Sequence, residues 1–352
     1  MHVDVFLEIA TPPAAASGVD AACAQALALA RAADAAGFGA VWIAEHHFLG
    51  DYSNAAAPEM LLAAMARETR RIGLGFAVIP LPLHDPVRVA ERLATLDLLS
   101  GGRALWGVGR GVTPVELEAF GVDPARSREE FRARYAELAA LLATGEVTRG
   151  GKTLRVRPTP AARLARGWMA AVSPESYTLA AELGLEVMAG PFKPWPWVKR
   201  DFARYRRLRP EGRTSFTMAC YCEGDHDAAR ARAGPGIVWA FEHMLEVTRP
   251  FLRQRTAGYE YYRRLGFASM ILEKALSLPA LEMMGLAAVG DPQHVAGKLA
   301  QLQAAGVDRV QLVIGGGDLS TQRLEACVRL IAERVFPQLA QGSGAMQSEV
   351  TA

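Results

Sequence analysis

Glu45-His46-His47-Phe48 follows the apolar run Ala40–Ala44 and places two imidazoles where a strand would hand over to a loop. An imidazole there can hold or release a proton near neutral pH, which suits a general acid–base group or a hydrogen-bond donor to a reactive intermediate. A hydrogen-bonded histidine pair at a strand end fits the position as well. In extended backbone, adjacent side chains point to opposite faces, so His46 and His47 cannot both face one ion. No His-Glu-x-x-His spacing occurs either, and no metal site is expected.

Three other points carry polar groups without an obvious structural duty. In Gly107-Val108-Gly109-Arg110-Gly111, small residues would let a planar ligand approach the backbone, and Arg110 could fork a phosphate; simple turn glycines are the alternative. Ser173-Pro174-Glu175-Ser176 reads as a helix start, whose free N–H groups and positive dipole end suit a phosphate, with Ser173 serving equally as an ordinary cap. Gly315-Gly316-Gly317 is a rival phosphate loop or a turn. The aromatic segment Gly190–Trp197 could stack on a flat ligand or line an apolar pocket through Trp195 and Trp197, or pack in the core. The basic run Lys199–Arg213 reads as the solvated face of a helix, and Cys220 and Cys222 as core packing within a strand.

The elements that must position these residues alternate. Eight short β-branched or apolar runs, Val3–Ile9, Ala40–Ala44, Ile72–Val78, Arg103–Val108, Trp168–Val172, Leu185–Ala189, Ser215–Cys222 and Arg309–Val313, are each followed by a segment with helical spacing. Asp85-Pro86, Ser173-Pro174 and Asp291-Pro292 are helix starts, and Ser127 with Glu130 forms a capping box. Eight strand–helix units in a chain longer than the roughly 250 residues usual for the fold predict an α/β (β/α)₈ TIM barrel with insertions, with a doubly wound sheet as runner-up. The excess length lies after the fourth unit, where Gly150-Gly151 within Thr144–Arg166 predicts a hairpin, and after the seventh strand, where Asp225–Gly285 reads as a helical insertion over the active face. Residues 1–340 form one expected barrel domain, and residues 341–352 a flexible tail.

Composition bounds the function. The chain has 352 residues, 51% of them hydrophobic, and 39 basic against 37 acidic side chains. Near-balanced charge gives no field for a nucleic acid, so a small ligand is expected. The N-terminus carries acids inside its strand pattern rather than a basic region and an apolar segment, and no run approaches the roughly 20 apolar residues of a membrane span. A cytoplasmic protein with four reduced cysteines is expected.

Trp42-Ile43-Ala44-Glu45-His46-His47-Phe48, then Pro86-Val87-Arg88-Val89-Ala90-Glu91, then Ser100-Gly101-Gly102-Arg103 with Gly107–Gly111, resemble the luciferase-like flavin-dependent monooxygenases in order and spacing. The similarity is specific over Ala40–Arg134 and looser through Ser173–Ala189 and Val289–Pro337. The resemblance implies a barrel that binds reduced FMN, or in one branch a deazaflavin, at its open end. It matches His46 to the family's catalytic histidine, Arg110 to a residue that binds the flavin phosphate, and Glu175 with Ser176 to the phosphate seat. Ala77-Val78 falls where many members hold a non-prolyl cis peptide beneath the ring. Gly109 stands where luciferase has a reactive cysteine, and Leu179 replaces a threonine of the phosphate seat, so aldehyde-dependent light emission is not expected. The implied function is oxidation of a small apolar substrate with oxygen and reduced FMN, with His47, Phe48, Trp195 and Trp197 around the substrate. No Gly-x-Gly-x-x-Gly fingerprint marks a nicotinamide site, which calls for a separate flavin reductase. A deazaflavin hydride-transfer enzyme and a non-catalytic flavin-binding barrel are the alternatives. The family often forms dimers, and a homodimer is compatible with the sequence.

Overall fold

Alternation of side chains along each strand decides the architecture. The computed structural model describes residues 1–13, 18–111, 113–253, 261 and 276–341. Eight parallel strands close into a barrel: β1 (His2–Leu7), β2 (Ala40–Ile43), β3 (Gly73–Pro80), β4 (Ala104–Gly109), β7 (Trp168–Ala170), β8 (Glu186–Ala189), β9 (Thr214–Cys222) and β11 (Arg309–Ile314). The seam closes where His2–Phe6 of β1 pair with Arg309–Val313 of β11, and Val187–Ala189 of β8 pair with Thr214–Phe216 of β9. All eight expected strands are present, and the doubly wound alternative is excluded by this closure.

A ninth strand, β10 (Ala287–Gly290), was not anticipated. β9 is nine residues long and β8 only four, so the upper edge of β9 is left open; Ala219–Cys222 there pair with β10. Four apolar residues at the end of a long helical segment give too weak a periodic signal to be read as a strand.

Helices α1 (Val19–Ala36), α2 (Pro58–Glu68), α3 (Pro86–Ser100), α4 (Pro114–Ala119), α5 (Ser127–Thr144), α6 (Pro174–Glu182), α7 (Trp195–Leu208), α8 (His226–Arg253), α9 (Leu278–Met283), α10 (Pro292–Ala304) and α11 (Thr321–Leu330) surround the strands. Outward residues such as Val5, Ile43, Phe76 and Phe216 form the large core beneath the helices. Inward residues form a second, smaller cluster that includes Trp42, Trp168 and Met188. Trp42 lies edge to face with Trp168, 6.3 Å between ring centroids, and a Cβ at Gly75 would stand 2.2 Å from the Trp42 ring. Gly75 is thus the space that lets an indole fill the barrel floor. The indole N–H donates to Asp4 Oδ2 at 2.8 Å, and Arg309 pairs with the same oxygen.

Asp85, Ser173 and Asp291 cap α3, α6 and α10 as expected. The box at Ser127 does not form as read: the Ser127 hydroxyl donates to the Pro124 carbonyl, and Asp123 caps that turn through the Ala125 N–H. A capping pair is found instead at α4, where Thr113 accepts from the Glu116 N–H and its hydroxyl, in place of the backbone N–H of a full box, donates to Glu116 Oε2 at 2.7 Å. The predicted hairpin pairs β5 (Glu146–Arg149) with β6 (Lys152–Arg155), and Gly150 and Gly151 both have positive φ. Of the expected tail, residues 342–352 lie outside the described residues. Among the described residues no helix is long and apolar enough to cross a membrane.

The helical insertion begins with α8, which contains Gly234-Pro235-Gly236. A Cβ at Gly316 would lie 1.9 Å from the Gly236 carbonyl carbon, so the loop after β11 and α8 meet backbone to backbone. Gly315-Gly316-Gly317 is therefore the seat of α8 rather than an open phosphate loop. Because backbone atoms cannot yield as a flexible side chain can, Gly316→Ala is expected to destabilise the protein by at least about 1–3 kcal/mol, the usual scale of overpacking, in urea unfolding. Parent-like stability would show that the seat is loose.

Candidate functional site

Where the strands end, the inward residues are small, and a cavity of about 470 Å³ opens there. Ala77, Gly109, Ala170 and Ala219 line its walls, and Ile237, Ala240, Phe241, Met244 and Val247 of α8 lie along it on helical spacing. α8 thus covers the mouth of the barrel with an apolar stripe.

His46 stands in the wall with its ring held at Nδ1 and a carboxylate facing Nε2. Nδ1 lies 3.1 Å from Glu116 Oε1, and Nε2 lies 4.0 Å from Glu8 Oε2. The same Glu116 oxygen accepts from the His47 backbone N–H at 2.8 Å, so α4 pins the whole turn after β2. Burial opposes a charge on His46, but the hydrogen bond to Glu116 and the negative field of Glu8, Glu116 and Glu45 outweigh it and push its pKa up to about 9. At neutral pH the ring is an imidazolium and a proton donor. Glu116 is drawn down correspondingly, against burial, by His46, Thr113 and the His47 N–H.

His47 points away, as adjacent residues in extended backbone should. Glu45 holds it through Nε2 at 3.3 Å and also pairs with His84. His47 packs edge-on to Phe120, 4.8 Å between centroids, and Phe48 is turned outward by a φ of 64° and is 68% exposed. Trp195 packs on Phe216, an outward residue of β9, with centroids 5.0 Å apart, and Trp197 sits on the outer turn of α7. These four expected pocket residues are therefore placed outside the cavity wall, because aromatic character does not specify which side of a strand or helix a ring takes. Phe192, from the same aromatic segment as the tryptophans, does line the cavity.

Ala77, Val78, Gly109, Arg110, Glu175 and Ser176 all line it. The Ala77–Val78 peptide is cis. The glycines of β4 have a different use from the one expected: a Cβ at Gly109 would stand 2.6 Å from Val78 Cγ2, and one at Gly107 2.9 Å from Val78 Cγ1. Val78 occupies the room, so the wall is closed and flat rather than open to a ligand. At the outer end, Ser173 Oγ accepts from the Ser176 N–H at the start of α6, and the two hydroxyls lie 3.1 Å apart. Arg110, Arg128, Arg132 and Arg204 line the same cavity; Arg128 and Arg204 act on Glu175 in the first turn of α6, and Arg132 pairs with Glu182 at 3.1 Å. Burial raises the Glu175 carboxyl, but its own N–H, the Ser173 hydroxyl and the charges of Arg128 and Arg204 hold it below the usual range. A cationic end beside a helix N-terminus, joined to a flat apolar wall, fits a phosphorylated planar molecule.

Sequence reasoning missed Glu8, Glu116, Arg128 and Arg204. Thr113-Pro114-Val115-Glu116 carries the capping signature but nothing that names His46 as its partner, and Arg204 was absorbed into a run assigned to solvent.

The site and barrel together define an oxidoreductase of the flavin-binding barrel class, and comparison with known proteins is specific. The model of the luciferase-like monooxygenase family matches residues 1–309. Limonene 1,2-monooxygenase of Rhodococcus erythropolis is 28% identical over 336 residues, covering 89% of this chain and 80% of that protein. The monooxygenase RslO1 of Streptomyces bottropensis has a TM-score of 0.80 at 25% identity over 96% of this chain and 99% of that one. The fold is shared with the oxygenating constituent of 3,6-diketocamphane monooxygenase of Pseudomonas putida, solved with FMN, at a TM-score of 0.73 and 19% identity over 96% and 98% of the two chains. The chain belongs to the luciferase-like monooxygenases, FMN-dependent oxidoreductases.

The raised pKa of His46 has a testable consequence for stability. A group whose folded pKa lies above its unfolded value stabilises the fold fully below the unfolded pKa, here 6.5, and that contribution is lost as pH rises through about 9. The stability advantage of the parent over His46→Gln is expected to shrink across that window in urea unfolding; an advantage independent of pH would show that His46 is not held as a cation.

Proposed function

We propose that this chain oxidises a small apolar organic compound with oxygen and reduced FMN, and that a separate flavin reductase supplies the reduced cofactor. The observation that carries the reading is one cavity joining a cationic end, an apolar wall and a partly buried imidazolium. Bound FMN would supply the two electrons for oxygen activation.

Arg110 and Arg128 hold the phosphate with the Ser176 hydroxyl and the first turn of α6. Ala77, Val78 and Ala170 form the surface under the ring system. Phe6 and the apolar stripe of α8 exclude water from the reacting centre, and the substrate enters between α8 and the barrel rim. His46 delivers the proton from Nε2 and, being cationic at neutral pH, acts as the acid and not the base. Glu116 keeps that proton correctly placed by occupying Nδ1. Residues 1–340 act as one barrel with α8 as its roof; residues 254–260 and 262–275 of the expected insertion lie outside the described residues. We place the protein in the cytoplasm, where reduced flavin is made and where its free thiols persist.

Arg128→Ala is expected to weaken reduced-FMN binding by about 1.5–3 kcal/mol, the usual worth of a hydrogen bond to a charged group, while riboflavin, lacking the phosphate, is little affected. Anaerobic fluorescence titration of both ligands measures this, and equal weakening would remove Arg128 from the phosphate site. His46→Ala should retain flavin binding and lose roughly 10²-fold or more in substrate oxidation, assayed by product formation with a flavin reductase and NADH. Rapid NADH oxidation by this chain alone would contradict the two-component arrangement.

A further inference from the structure

β1 carries one acid, Asp4, and a second, Glu8, lies just past its end. Asp4, at the barrel floor, is met by the Trp42 indole and by Arg309. Glu8, just beyond the other end of the strand, faces the cavity, and the cation facing it is His46, with Nε2 4.0 Å from its Oε2. Glu8 Oε1 accepts from the Tyr52 hydroxyl at 3.4 Å, whereas Oε2 is buried without a hydrogen-bond partner. Ser53 bonds the Glu8 backbone carbonyl at 2.7 Å and fixes the strand end there. Asp4 Oδ1 is likewise buried without a hydrogen-bond partner, but Asp4 is paired with Arg309 at the floor. An unsatisfied carboxyl oxygen costs free energy, and at a cavity wall facing an imidazole such a group points to a function.

The spacing suggests which one. Two atoms 4.0 Å apart are too distant for a direct hydrogen bond, yet once the carboxyl turns to open Oε2 to the cavity a single oxygen can stand about 2.8 Å from each. A monooxygenase places one oxygen atom in its substrate and converts the other to water, so each turnover consumes protons inside a cavity that must exclude solvent. After His46 has given up its proton it has to be recharged.

We propose that Glu8 returns a proton to His46 Nε2 during turnover, through one bridging hydroxyl or water oxygen held between its carboxyl and the ring. The proposal rests on the function argued above. In the step, the Glu8 O–H bond breaks, the bridging oxygen gains one proton and releases another, and the Nε2–H bond forms. No electrons move; Glu8 is left as the resting carboxylate beside the cationic ring and takes its next proton from solvent only after His46 has discharged again. The surroundings agree. Burial pushes the Glu8 carboxyl up, the His46 charge, Ser53 and Tyr52 pull it down, and Glu116 raises it again, with burial prevailing. The groups facing the pair are Glu45 beyond β2, Tyr52 from the following turn and Glu116 from α4, whereas Ile237, Ala240, Phe241, Met244 and Val247 of α8 bring no charge.

Glu8→Gln tests the relay. In the flavin-free protein, ¹⁵N NMR titration of His46 is expected to move to lower pH, because a neutral amide no longer supports the cation. In the loaded enzyme, His46 starts protonated, so the first turnover should keep the parent's rate and later turnovers should slow, giving a burst of one product per site. The steady-state pH profile should shift as well. Glu8→Asp, which keeps the acid but shortens its reach, should show the burst with His46 still titrating near the parent's value, and it serves if the amide variant does not fold. An unshifted His46 titration, or a shifted titration with no burst and an unchanged pH profile, would overturn the proposal. If the chain neither binds reduced FMN nor turns over, the functional reading fails, and the flavin-free titration still decides whether Glu8 and His46 share a proton.

Discussion

In a closed barrel the residues that point inward share one narrow interior, and the order of their sizes along each strand decides where space remains. Here the large ones come first. Trp42 and Trp168 meet edge to face at the floor, with Gly75 giving up its side chain to admit the indole, and Asp4 and Arg309 satisfy the polar atom that the indole buries. Higher in the barrel come Ala77, Gly109, Ala170, Ala219 and Gly315, and the cavity lies among them. Closure of the sheet, an apolar floor and an open upper end are one steric arrangement, and everything the site can do depends on it.

On this frame the cavity is polarised. At one side a partly buried imidazolium stands between Glu116 and Glu8; at the outer end arginines act on the start of α6. Between them the surface is flat and apolar because Val78 fills the space that side chains at 107 and 109 would take. The α8 stripe then shields these groups from water, which strengthens each electrostatic interaction within. The Gly236–Gly316 contact holds that cover against the barrel, so the triple glycine serves closure and not anion binding.

How far the sequence reveals this depends on whether the relevant signal is local. Strand–helix alternation is local, and eight barrel strands and the hairpin follow from it; β10 does not, because it exists only through the unpaired upper edge of β9. His46, Arg110 and Ser176 were legible because barrel chemistry concentrates at strand ends. Glu116, Arg128 and Arg204 sit on helices, and only the folded chain brings them to the cavity. Phe48, Trp195 and Trp197 mislead for a related reason: Phe48 is turned out by its own backbone and Trp195 by its packing on Phe216. Glu8 was visible as an acid within a strand pattern, but the contrast with Asp4 appears only when their partners are seen.

The central claim is that the cationic end, the flat wall and His46 serve one ligand in one orientation. A crystal structure of the chain with reduced FMN, grown without oxygen, tests it most directly. The account predicts the phosphate among Arg110, Arg128 and Ser176, the ring system against Ala77 and Val78, and its reactive edge turned toward the space before His46 Nε2. A phosphate seated at Gly315–Gly317, or a ring turned away from His46, would contradict it.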